Sequence, residues 1–134
     1  MIAFFDTSVH IDILRGQLDV AEVLEQVQGG PVRLSPVVAS ELMRGASGTA
    51  SRTVERLVSS LVTIEPPSWR SAWLETGRML PKAFASHESV GLARLQNDVL
   101  LALTARHTGA VLVSKDAHFR TLQRHVRFSA LLIS

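Results

Sequence analysis

The stretch NDVLLALTARHTGAVLVSKDAHF, Asn97 to Phe119, decides the fold. Leu92 to His107 reads as one long helix, stopped by Gly109, since glycine commonly ends a helix in a left-handed turn. Ala110 to Val113 follows as a strand with no polar alternation, as expected of a strand covered on both faces. An acid, Asp116, comes three residues after that strand. A long helix feeding a fully covered strand is the repeating unit of an α/β fold with a parallel sheet.

The rest of the chain fits that frame. Ile2 to Phe5 reads as a buried strand, Asp6-Thr7-Ser8 offers helix caps, and Val9 to Arg15 is a helix stopped by Gly16. Val20 to Gln28 is an amphipathic helix, with Val20, Val23, Leu24 and Val27 at helical spacing, broken by Gly29-Gly30-Pro31. Val32 to Leu34 is a strand. Ser35 then serves as N-cap and Pro36 as first helical residue for a helix to Arg44, ended by Gly45. Thr49 to Leu61 is helical, and Val62 to Ile64 is a strand closed by Pro66-Pro67. Ser68 to Leu80 is helical, and Pro81 is expected to kink it or split it from Lys82 to Ser86. Asp116 to His125 forms a short helix and Val126 to Phe128 a final strand. This order predicts a three-layer α/β/α sandwich with a mainly parallel sheet of four or five strands. In such folds sites form beyond the carboxyl ends of the strands. A length of 134 residues favours one domain over residues 1–134.

Composition narrows the class. The chain is 46% hydrophobic, which supports a packed core. No apolar run approaches the roughly 18 residues of a membrane span, and the N-terminus lacks the basic flank and cleavage pattern of a signal peptide. Without cysteine there is no disulfide framework and no thiolate metal site. The expected location is the cytoplasm. The pI near 9.9 overstates basicity, because net charge is only +2 and little titrates between His and Arg. Twelve of the fourteen basic residues are Arg, the better side chain for phosphate.

Four acids are the candidates for chemistry, each with an ordinary reading beside it. Asp6 follows the first strand and could simply cap a helix. Glu41 lies in a helix among Val37, Val38, Leu42 and Met43, with Arg44 at i+3. Such a pair is worth only ~0.2–0.5 kcal/mol on a helix surface, too little to offset real burial. Asp98 precedes the most apolar run of the chain, Val99 to Leu103, with Arg94 at i−4. Asp116 could cap the helix that begins at Ala117. Taken together, two acids follow strand ends and two lie early in helices that can reach the same sheet edge. Carboxylates gathered there repel one another unless some are protonated or a cation joins them. Mg²⁺ or Mn²⁺ suits such oxygen ligands and can activate water against a phosphodiester.

The chain resembles the PIN-domain ribonucleases, especially the VapC-type toxins of toxin–antitoxin pairs. FFDTSVHIDILRG looks like that family's first strand, acid and helix. LSPVVASELMRGA is similar to the segment carrying its glutamate. NDVLLALTARHTGAVLVSKDAHF resembles its third acid, long helix, strand and fourth acid. The resemblance spans essentially the full length. It implies a metal-dependent endoribonuclease using Mg²⁺ or Mn²⁺, with Asp6, Glu41, Asp98 and Asp116 as catalytic and metal-holding acids and metal-activated water as the attacking group. Ser114 stands where a Thr or Ser supports the site. The resemblance also implies an RNA substrate, a small antitoxin partner and a homodimer. Three positions depart from the family pattern. His10 replaces an apolar residue, Asp98 is followed by bulky Val-Leu-Leu, and His118 stands where another acid is common.

Other signals carry less. Arg120, Arg124 and Arg127 form a phosphate-binding strip or a solvated basic face. His107 suits a helix C-terminus, and Trp69 and Trp73 read as core or dimer contacts. A receiver-like Mg²⁺-binding signalling module is a rival, with Lys115 after a strand, but Val62-Thr63-Ile64 is followed by no phosphoacceptor aspartate. Two more rivals keep the PIN fold: a scaffold that only binds partners, and a nuclease acting on DNA. The acids act on the phosphodiester and do not themselves read the 2′-hydroxyl.

Overall fold

A computed structural model describes residues 1–85 and 91–134. Its four strands are β1 (Ala3–Phe5), β2 (Val32–Arg33), β3 (Val111–Ser114) and β4 (Ala130–Leu132). They form one sheet in the order β2-β1-β3-β4, and every pairing is parallel. The helices of the described residues are α1 (Thr7–Leu14), α2 (Val20–Gln26), α3 (Pro36–Gly45), α4 (Thr49–Ser60), α5 (Trp69–Ala83), α6 (Leu92–Thr108) and α7 (His118–Gln123).

The layers follow from strand alternation, since successive side chains point to opposite faces. Phe4 and Leu112 face one apolar cluster, which they share with Val38, Leu42, Val54, Leu80, Phe119 and the buried residues of α6. Ala3, Phe5, Val111 and Val113 face the other, with Val9 of α1 and Val23 of α2. The sheet therefore lies between α1 and α2 on one side and α3 to α7 on the other, the expected α/β/α sandwich. Within α6 the run from Val99 to Ala105 is buried without a break, so the middle of this helix is enclosed on all sides while its two ends are exposed.

Three local expectations need correction. The last strand is Ala130–Leu132, not Val126 to Phe128. Val126 instead packs into the core, and Phe128 sits edge-on to Phe119 at 6.5 Å. Val62 to Ile64 is not a full strand. It makes one parallel bridge, Thr63 to Leu34, with the Leu34 amide bonded to Val62 and the Ile64 amide to Leu34. Finally, α5 runs on through Pro81 to Ala83. The missing proline N–H removes one bond near the helix end, and the Phe84 amide closes the last turn on Leu80 at 2.9 Å. Of the expected Lys82 to Ser86 segment, Ser86 lies outside the described residues.

Candidate active site

The site lies beyond the carboxyl ends of the two central strands, β1 and β3. Their registers align Phe5 with Val113, and the Asp6 amide extends the pairing by donating to the Val113 carbonyl at 2.9 Å. Asp6 then turns the chain into α1. Its Oδ1 accepts from the Thr7 amide at 2.7 Å, so the capping reading is correct. Its Oδ2 accepts from the Ser114 hydroxyl at 2.8 Å. The Ser114 oxygen, fully buried, also accepts from the Asp116 amide at 3.0 Å. One hydroxyl thus ties the acid after β1 to the acid after β3.

Asp116 is not the cap of α7, whose N-cap position is Ala117, but its Oδ1 accepts from the His118 amide at 2.9 Å just before that helix. Its Oδ2 pairs with Arg94 at 2.6 Å. Glu41 is carried by α3, which starts where the sequence indicates: the Ser35 hydroxyl caps the Val37 amide and Pro36 occupies the first turn. Its carboxylate accepts from the Thr7 hydroxyl at 3.0 Å. Asp98, buried, projects from the second turn of α6, and His118 Nδ1 lies 3.4 Å from its Oδ2. Asp6, Glu41, Asp98 and Asp116 all line one pocket, together with Arg44 and Arg94.

The local ion pairs that could have explained the helical acids take other forms. Arg94 bonds Asp116, not Asp98, and Glu41 is bonded by Thr7. Four residues at the site go beyond those indicated by sequence: Thr7, Arg44, Arg94 and His118. Arg120, Arg124 and Arg127 are exposed, and none of them lines the acidic pocket. Lys115 is bonded to Asp12 rather than directed at these acids, which removes the feature that suggested a receiver-like module. Trp69 packs partly on the core and donates to Glu65, while Trp73 is exposed.

Burial and neighbouring charge act differently on three of the acids. Burial raises Asp98 to about 8, and the charges of Asp6 and Asp116 push the same way; Arg94 only partly opposes them. Burial also raises Asp6, against the Ser114 and Thr7 hydrogen bonds, and Glu41 and Asp116 add to the rise. Burial would raise Asp116 too, but the His118 amide, the Arg94 bond and the nearby His118 ring and Arg94 guanidinium bring it below the usual range. Two buried carboxyls, pushed towards the neutral form by burial and by neighbouring charge, form an oxygen-rich donor set. A hard divalent cation would fit it, because the cation removes the repulsion that helps to raise them.

The Ser114 link is directly testable. Ser114→Ala leaves a buried Asp6 oxygen and the Asp116 amide without their partner. The expected cost is about 1–3 kcal/mol, read as a lowered denaturation midpoint at unchanged slope. A neutral result would mean that Ser114 does not brace the two acids.

Solved structures that share the fold include three from toxin–antitoxin complexes. VapBC-1 from nontypeable Haemophilus influenzae superposes with TM-score 0.64 at 19% identity, covering 98% of both chains. VapBC2 from Rickettsia felis, bound to a DNA fragment from its promoter, gives 0.67 at 18%, covering 100% of both. FitAcB from Neisseria gonorrhoeae gives 0.59 at 17%, covering 98% of this chain and 96% of the other. Among curated protein sequences, none matches this chain. A family model described as PIN domain matches residues 3–124, from the first strand to the end of the helix after Asp116. The chain belongs to the PIN domain family.

Proposed function

We propose that this chain is a metal-dependent endoribonuclease and the VapC-type toxin of a type II toxin–antitoxin pair, acting in the cytoplasm as one domain over residues 1–134. The observation that carries the reading is the convergence of Asp6, Glu41, Asp98 and Asp116 on one pocket at the carboxyl ends of β1 and β3. Asp6, Asp98 and Glu41, with Asp116 beside them, are the residues that would hold Mg²⁺ or Mn²⁺. When bound, such a cation polarises phosphoryl oxygen and makes water a competent nucleophile near neutral pH.

The protein's own groups supply the rest. Ser114 and the Thr7 amide fix both oxygens of Asp6. The Thr7 hydroxyl aims Glu41 inward from a separate helix. Arg44 and Arg94 bring guanidinium groups to the pocket, suited to a phosphate of the substrate backbone. Cleavage is expected to leave 5′-phosphate and 3′-hydroxyl ends. Among the described residues no helix is long and apolar enough to cross a membrane.

The test is incubation of the purified protein with total cellular RNA and, separately, single-stranded DNA, with Mg²⁺, with Mn²⁺ and with excess chelator. Cleavage of RNA that disappears in chelator is the expected result. Equal cutting in chelator would remove the metal from the reading, and preference for DNA would remove the ribonuclease. The likeness to the VapBC and FitAcB structures supports an antitoxin partner, and the exposed Trp73 and Leu74 of α5 offer apolar surface for a homodimer. Expression of this chain alone should arrest growth, and co-expression of the adjacent gene should relieve the arrest.

A further inference from the structure

We propose that His118 is a ligand of the same cation site, which makes the pocket a mixed nitrogen–oxygen centre that takes Mn²⁺ in preference to Mg²⁺. The inference rests on the metal reading above and extends it to a residue outside the acid set. His118 Nδ1 lies 3.4 Å from Asp98 Oδ2 and 3.3 Å from Asp116 Oδ1. One donor atom from each of the three residues lies within 4.8 Å of the others. Six-coordinate ligands at about 2.1 Å place adjacent donors about 3.0 Å apart, so the nitrogen needs to approach each oxygen by only a few tenths of an ångström.

A simple hydrogen bond explains the arrangement less well. An N–H donor prefers one acceptor near 2.9–3.0 Å, whereas this nitrogen stands almost equally far from two carboxylates and close to neither. The ring is also held in place. Its backbone amide is bonded to Asp116 Oδ1 at 2.9 Å, and Phe84 packs edge-on against it at 5.4 Å. Imidazole favours first-row transition cations, while Mg²⁺ favours an all-oxygen shell; Mn²⁺ accepts both donor types.

The test uses the intact protein loaded with Mn²⁺. Pulsed electron paramagnetic resonance should show hyperfine coupling to ¹⁴N, absent in His118→Gln. Calorimetry should show Mn²⁺ binding weakened by about tenfold or more in the variant, since even outer-shell changes cost 10–100-fold, and Mg²⁺ binding weakened much less. If His118→Gln does not fold, His118→Asn serves the same comparison. Bound Mn²⁺ without nitrogen coupling overturns the His118 assignment and leaves the acidic site standing. Equal weakening of both cations overturns it as well. Failure of the intact protein to bind Mn²⁺ at all overturns both readings.

Discussion

Asp98→Asn is expected to abolish RNA cleavage, lowering the rate by about a hundredfold or more, while leaving the cation-free protein as stable as the parent or more so. The two halves of that result have one cause. Asn keeps the shape that α6 packs around, and it removes a charge that burial and the neighbouring carboxylates already oppose. Loss of an anionic ligand costs at least as much as the 10–100-fold seen for the groups that merely orient ligands. The cation should stabilise the parent by linkage, about 2.7 kcal/mol at a hundred times its Kd; this gain should shrink or vanish in the variant. A purely structural Asp98 predicts the opposite pattern, lost stability with the metal response intact. That account is weak on geometry, because its local cation, Arg94, is engaged by Asp116 at 2.6 Å. Melting temperatures of both proteins, with and without Mg²⁺, separate the two.

The legible part of the fold was the part whose burial is extreme. Leu92 to Val113 declares a long helix and a covered strand because nearly every side chain from Val99 to Leu103 and from Ala110 to Val113 is apolar and buried. The sheet edges were harder. Val126 to Phe128 alternates as a strand should, yet its apolar residues are satisfied by packing against α7 and Phe119. The strand lies four residues later because β3 offers a free edge there, with Val113 opposite Leu131. Pairing partners are a tertiary fact that a local pattern does not contain. The same limit reduces Val62 to Ile64 to a single bridge.

The site divides in the same way. The four acids stood out because a carboxylate among apolar neighbours, or just past a buried strand, needs a reason. Arg94 was visible only as the i−4 neighbour of Asp98; its actual partner is 22 residues away and reaches it through the β3–α7 turn. Thr7 looked like a cap residue, and nothing local tells that its hydroxyl meets Glu41 across 34 residues. His118 had a usable signal: it follows Asp116 by two positions immediately after a strand end, a spacing that can turn both side chains to one side.

In the cation-free protein, stability should fall as pH rises from about 6.5 to about 8, and added Mg²⁺ should offset more of that fall the higher the pH. Asp98 titrates at about 8 in the folded protein and near its ordinary 3.8 when unfolded. Between those values the folded state holds a proton that the unfolded chain has released, so the slope of unfolding free energy with pH is negative. The contribution is complete below about 3.8 and is lost through about 8. His10 acts with the opposite sign over a different range. Burial lowers it to about 4 from 6.5, so the folded state binds fewer protons there and stability rises with pH up to about 6.5. Asp116, held low, likewise contributes stability that is lost as pH falls. Above 6.5 both opposing terms are spent and Asp98 decides the sign. Asp98→Asn should therefore flatten the profile between 6.5 and 8 while keeping the acid limb. A divalent cation competes with the Asp98 proton, so its affinity and its stabilising increment should both grow across that window. Denaturant titrations at half-unit steps, with chelator and with saturating Mg²⁺, measure all three curves. A parent profile that is level or rising from 6.5 to 8 in chelator would mean that Asp98 is already ionised at neutral pH, and that burial and the neighbouring acids do not suppress its charge.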